Sequence, residues 1–198
     1  MGKTQRKIPK SIAAEINPLV SPIQALQSLI EKFEGRGVII GAVAASLLGT
    51  PRFTSDLDAT ILIGLDDLPT LLSEALKLGI EPRIEDTVSF ARRNRVLLLR
   101  HSASKIDIDL SLGILPFEVE MIERSQLLGI GGMKIRLPTP EDLVIMKAVA
   151  GRPKDLEDIR AIAAAHPELD RERIHLWLDQ FAEALEEPVL WSEIEKLL

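Results

Sequence analysis

Val38-Ile39-Ile40-Gly41-Ala42-Val43-Ala44-Ala45-Ser46-Leu47-Leu48-Gly49-Thr50-Pro51-Arg52-Phe53-Thr54-Ser55-Asp56-Leu57-Asp58-Ala59-Thr60-Ile61 is the stretch on which the fold turns. Val38–Ile40 is a β-branched run and predicts a short buried strand. Gly41 to Leu48 is rich in Ala and Leu, which suits a helix packed closely on a sheet, and Gly49-Thr50-Pro51 stops it. Leu57 to Ile63 alternates as a second strand. A glycine at the strand–helix junction lets the N–H groups of Gly41 and Ala42 approach an anion, aided by the positive end of the helix. Asp56 and Asp58, two apart at a strand entry, project from one face about 6–7 Å apart.

Outward from this stretch, apolar spacing predicts helices over 22–34, 65–78 and 117–128, and strands over 95–99 and 105–112 joined through His101-Ser102-Ala103-Ser104. Gly129 to Gly132 reads as a turn. Beyond it nearly everything is helical: 139–150, 153–165, 170–185 and 188–197, with Pro138, Pro140, Pro153 and Pro188 at or near helix starts. The expected fold class is α/β (α+β), a small mixed β-sheet flanked by helices and followed by a C-terminal helical bundle. The expected organisation is a basic tail and lead-in over 1–21, a catalytic domain over 22–137 and a helical part over 138–198.

A chain of 198 residues, 46% hydrophobic and 27% charged, is long enough for a real core. It has no cysteine, which excludes disulfides, thiolate metal sites and thiol nucleophiles. A net charge of −6 excludes a non-specific nucleic-acid coat, though not a local grip on phosphates. Neither a signal-peptide run nor a span of about eighteen apolar residues is present, so a cytoplasmic protein is expected. No Walker loop, G-x-G-x-x-G, H-E-x-x-H or G-x-S-x-G is found.

Lys105-Ile106-Asp107-Ile108-Asp109-Leu110-Ser111-Leu112 alternates acid with aliphatic, leaving one strand face acidic. Such a face is poor strand chemistry unless a cation offsets it. Hard cations such as Mg²⁺ take oxygen ligands, and two of them against three carboxylates leave a site that welcomes a nucleoside triphosphate. The chemistry that follows is phosphoryl or nucleotidyl transfer on a two-metal site.

The run from Ile40 to Asp58, with its glycine turn, helix and Arg52-Phe53-Thr54-Ser55-Asp56-Leu57-Asp58, resembles the signature of the nucleotidyltransferase superfamily. Pro140 to Ile159, including Lys147-Ala148-Val149-Ala150-Gly151-Arg152-Pro153-Lys154-Asp155-Leu156-Glu157-Asp158, is similar to the last motif of the AbiEii-like group, which includes toxins of type IV toxin–antitoxin systems. The resemblance implies a nucleotidyltransferase-like sheet and a Mg²⁺-dependent transfer of a nucleoside monophosphate from a triphosphate to an acceptor hydroxyl. It implies metal binding by Asp56 and Asp58 and by a third carboxylate, best matched by Asp109 with Asp107 in reserve. It places Gly41 and Ala42 at the phosphate turn, and Lys147, Arg152 and Asp155 at the nucleotide or bracing it. Ala42 departs from the glycine or serine often found there. In purely local terms, Gly151-Arg152-Pro153 is a helix–helix corner whose cations either reach one phosphate or pair with Asp155 or Asp158.

Residues 83–105 hold six basic side chains against two acids, a stretch suited to a triphosphate, to an RNA backbone or to a solvated helix face. Aromatics at 4% disfavour base stacking on a single strand. The acceptors in view are RNA, including a tRNA end, a protein hydroxyl or a drug-like small molecule, and a cognate antitoxin is a possible partner. A non-catalytic nucleotide- or partner-binding relative of the same fold is the rival.

Overall fold

The computed structural model describes residues 17–130 and 132–198, so most of the lead-in expected over 1–21, and Gly131, lie outside the described residues. After a 3₁₀ turn at Asn17–Leu19, helix α1 (Val20–Lys32) buries Ile23, Leu26, Leu29 and Ile30. Strand β1 (Gly37–Ile40) is wholly buried and runs directly into α2 (Gly41–Leu48), whose Ala42–Ala45 are buried. Then come β2 (Asp56–Ile61), α3 (Leu68–Lys77), β3 (Ile80–Pro82), α4 (Thr87–Asn94), β4 (Val96–His101) and β5 (Asp107–Leu112).

These five strands form one mixed sheet in the order β1-β2-β5-β4-β3. Its central pair, β2 and β5, is parallel; the other three pairings are antiparallel. The register sets Asp56 opposite Asp107 and Asp58 opposite Asp109. Because side chains alternate along a strand, all four acids share one face. Leu57, Ala59 and Ile61, with Ile108 and Leu110, occupy the other and are fully buried.

Helix α5 (Pro116–Arg124) leads to a hairpin of β6 (Gln126–Ile130) and β7 (Met133–Leu137). Here the expected helix over 117–128 is corrected. Ser125, at φ −55° and ψ 149°, ends the helix, and Leu127 and Leu128 enter a ladder with β7. β7 is docked on α1, where Gln27 Oε1 accepts the Arg136 N–H at 2.9 Å. β3 and α4 are likewise additions to the expected elements.

The last part is helical, as expected: α6 (Pro140–Ala150), α7 (Pro153–Ala165), α8 (Arg171–Leu185) and α9 (Leu190–Ile194), closed by a 3₁₀ turn. Thr139 caps α6 by accepting the Asp142 N–H at 3.2 Å, and Gly151 ends it at φ 61°. Pro153 then restarts the chain as α7. α6 and α7 both pack against α2, which brings the Gly151 corner beside the Gly41 turn.

Candidate active site

A cleft of about 340 Å³ opens between the acidic sheet face and the α6–α7 corner. It is lined by Gly41, Ala42, Asp56, Asp58, Asp109, Lys147, Arg152 and Asp155, so the structure brings together all eight residues singled out from the sequence. Arg52, Thr54, Met146 and Lys154 line it too.

Gly41 stands at φ 62°, in the left-handed region, as the first residue of α2. A Cβ there would collide with the Asp58 side chain, so the turn and the carboxylate are packed as one unit. Ser46, one turn along, exchanges hydrogen bonds with the Arg52 backbone: its hydroxyl donates to the carbonyl at 3.1 Å and accepts from the N–H at 3.3 Å. It therefore pins the loop that carries Arg52. The Thr54 hydroxyl donates to Asp56 Oδ1 at 2.6 Å.

Burial first, and then the charges of Asp56 and Asp109, push the Asp58 carboxyl above its ordinary range; Lys147 and Arg152 offset this only in part. Burial also raises Asp109, with Asp56 and Asp107 adding to it against the opposing pull of Arg83. Asp107 behaves oppositely. The hydrogen bond from Arg100 Nε at 2.6 Å, and another from Arg83 Nη1 at 2.7 Å, hold it below the usual carboxylate range. Asp109 lines the cleft and Asp107 does not.

The opposite wall is a buried ion network. Lys147 Nζ lies 2.8 Å from both Asp155 and Asp158, and Asp155 is fully buried. Arg152 Nε donates to Asp155 at 2.5 Å while its side chain stays 58% exposed. Arg52 closes the network with a bidentate bridge to Asp158, both bonds 3.0 Å. Burial would raise Asp155, yet the bonds from Arg152 and Lys147 hold it low. The corner cations thus pair with Asp155 and Asp158 and line the cleft at the same time. Lys154 has no ion-pair partner among the described residues.

Sequence reasoning reaches Asp158 only as a partner of the corner cations and Arg83 only within the basic stretch, and it misses the Arg52–Asp158 bridge. Arg52 and Asp158 lie 106 residues apart, and no local spacing signals their pairing. The basic stretch 83–105 is largely engaged within the protein. Arg83 and Arg100 bind Asp107, Arg95 donates to the Leu112 and Gly113 carbonyls, and Arg92 reaches the Leu65 carbonyl at 3.3 Å.

Among the described residues no three histidine, cysteine or carboxylate side chains are already converged as a metal cage. The donor chemistry nonetheless fits a hard divalent cation. Asp56, Asp58 and Asp109 present oxygens to one cleft, and burial first, then neighbouring carboxylates, raises two of them.

Solved structures that share the fold include the following three. One is an antigenic nucleotidyltransferase-like protein from Paracoccidioides brasiliensis (TM-score 0.52, 18% identity, 92% of this chain and 93% of that one). Another is a solution structure of the antibiotic-resistance factor ANT(2'')-Ia (0.54, 15%, 84% and 94%). The third is ANT(2'')-Ia in complex with adenylyl-2''-tobramycin (0.56, 15%, 84% and 98%). No curated protein matches the sequence significantly. Residues 22–191, however, match the family described as nucleotidyl transferase of unknown function (DUF2204), so the chain belongs to that family and is an enzyme of the nucleotidyltransferase class.

Proposed function

We propose that this enzyme transfers a nucleoside monophosphate from a nucleoside triphosphate to an acceptor hydroxyl. The observation that carries the reading is the single cleft with three carboxylates on one wall and accessible cations on the other. Asp56, Asp58 and Asp109 would hold Mg²⁺, which would neutralise the triphosphate and lower the pKa of the attacking hydroxyl. The first N–H groups of α2, at Gly41 and Ala42, have no partner within the helix and face phosphate oxygens. Arg152 and Lys154 add positive charge from the other wall, and Lys147 with Asp155 braces it. The acceptor oxygen bonds to the α-phosphorus as the bond to the bridging oxygen breaks, and pyrophosphate leaves. Asp109 Oδ2, which has no hydrogen-bond partner among the described residues, takes the hydroxyl proton.

Two acceptor readings stand. The AbiEii-like motifs support an RNA end or a protein hydroxyl, in the cytoplasm and under a cognate antitoxin. The fold shared with ANT(2'')-Ia, together with the internal engagement of the 83–105 arginines, favours a small-molecule hydroxyl. No helix among the described residues is long and apolar enough to cross a membrane. α-Labelled triphosphates incubated with total RNA, total protein and a panel of polyhydroxylated amines test both. Label should appear in one class and vanish with Asp58→Ala. Triphosphate binding without labelling of any class would mean a nucleotide-binding protein that does not transfer.

A further inference from the structure

The first described partner of the third carboxylate is an arginine from a distant part of the chain. Arg83 follows β3, and its backbone N–H is fixed by the Leu98 carbonyl at 2.9 Å, in continuation of the β3–β4 ladder. From there its guanidinium forks across β5: Nη1 donates to Asp107 Oδ2 at 2.7 Å and Nη2 donates to Asp109 Oδ1. The arginine is only 20% exposed, and its Nε is buried without a partner. Asp107 has a second cation, Arg100, and stands outside the cleft. Asp109 has no other described partner and faces the cleft.

We infer that Arg83 is a positioning residue for the cation site, holding Asp109 by one oxygen so that the other stays turned into the cleft. The inference rests on the metal-binding reading above. A planar fork suits it: residues two apart on a strand are separated by about 6–7 Å, and one guanidinium reaches both carboxylates, which one ammonium cannot do with the same geometry. Without the fork, the register leaves Asp56 facing Asp107 and Asp58 facing Asp109 across the parallel pair with little to separate like charges. Asp109 is then free to swing away from the other two.

The test is Mn²⁺ binding to the nucleotide-free protein, measured by calorimetry or by paramagnetic titration, for wild type, Asp58→Asn, Arg83→Ala, Arg83→Lys and Arg100→Ala, with melting temperature followed in parallel. Wild type should bind Mn²⁺ in an Asp58-dependent way. Arg83→Ala should weaken binding at least tenfold, Arg83→Lys should fall between, and Arg100→Ala should stay within twofold. If Arg83→Ala does not fold, the Lys variant carries the test, and weakening by less than twofold there overturns the role. An Asp58-dependent site that Arg83→Ala leaves unchanged or tightens would keep the cation site and overturn Arg83's part in it. Wild type with no Asp58-dependent binding would remove the site, and Arg83's role with it.

Discussion

Gly41 and Asp58 are packed so closely that residue 41 has no room for a side chain: a Cβ there would lie 2.7 Å from the Asp58 carboxyl carbon and 2.8 Å from its Cβ. The left-handed backbone at φ 62° adds roughly 1–2 kcal/mol for any L side chain. Gly41→Ala should therefore displace Asp58 as well as the turn. We expect loss of transfer by at least a hundredfold with a modest fall in melting temperature. Full activity in that variant would separate the turn from the site.

Asp58 titrates above the ordinary aspartate value of 3.8 because burial and two neighbouring carboxylates penalise its charge. Relative to the unfolded chain, its contribution to stability is complete below 3.8 and is lost as pH rises through the higher folded value. Asp58→Asn should then melt higher than wild type at neutral pH, by roughly 2–4 °C if the gain is near 1 kcal/mol, and the difference should vanish below pH 3.8. Added Mg²⁺ should raise the melting temperature of wild type and leave the variant unmoved. Calorimetric scans at several pH values check both halves.

The Lys147, Asp155 and Asp158 cluster makes the opposite prediction. Removing Lys147 takes the ammonium from Asp155 and Asp158, which keep Arg152 and Arg52, so the cost should fall below the roughly 3–5 kcal/mol of a buried charge left wholly unpaired. Lys147→Met should lower the urea midpoint sharply, and combining it with Asp155→Leu should recover part of the loss. Asp155 is held below its ordinary value, so the stability it confers is present above 3.8 and disappears as pH falls through the folded value. Asp155→Asn should flatten the acid limb of the stability profile.

Lys154 shares the cleft without being bound into that network. Lys154→Gln should leave unfolding within about 0.5 kcal/mol of wild type, as for an exposed site. It should raise the KM for the triphosphate roughly tenfold, the scale of 1.4 kcal/mol. Steady-state kinetics against denaturant curves distinguish it from Lys147, whose loss should appear first in stability.

The parts legible in the sequence were those written by local rules. The Val38–Ile40 strand, the alanine-rich helix, the proline and glycine punctuation of the last helices and the i, i+2 carboxylates each follow from periodicity or turn chemistry. The β6–β7 hairpin was not legible, because Leu127 and Leu128 continue a helical pattern that only pairing with β7 and docking on Gln27 overrides. Nor were the partners of the acids. The resemblance prefers Asp109 to Asp107, but the convergence of two arginines on Asp107 is not readable, because Arg83 arrives there through a strand pairing that no short window contains.

The Arg52–Asp158 bridge has a consequence for how the molecule comes into being. The strand bearing Asp56 and Asp58 is synthesised early, but Arg52, which anchors the loop before it, finds its carboxylate only after residue 158 has been made. A growing chain displays the acidic pair without the wall that faces it. The facing wall therefore forms only once the helix bearing Asp158 exists, and a product ending before that residue would carry the Asp56–Asp58 pair without the wall opposite it.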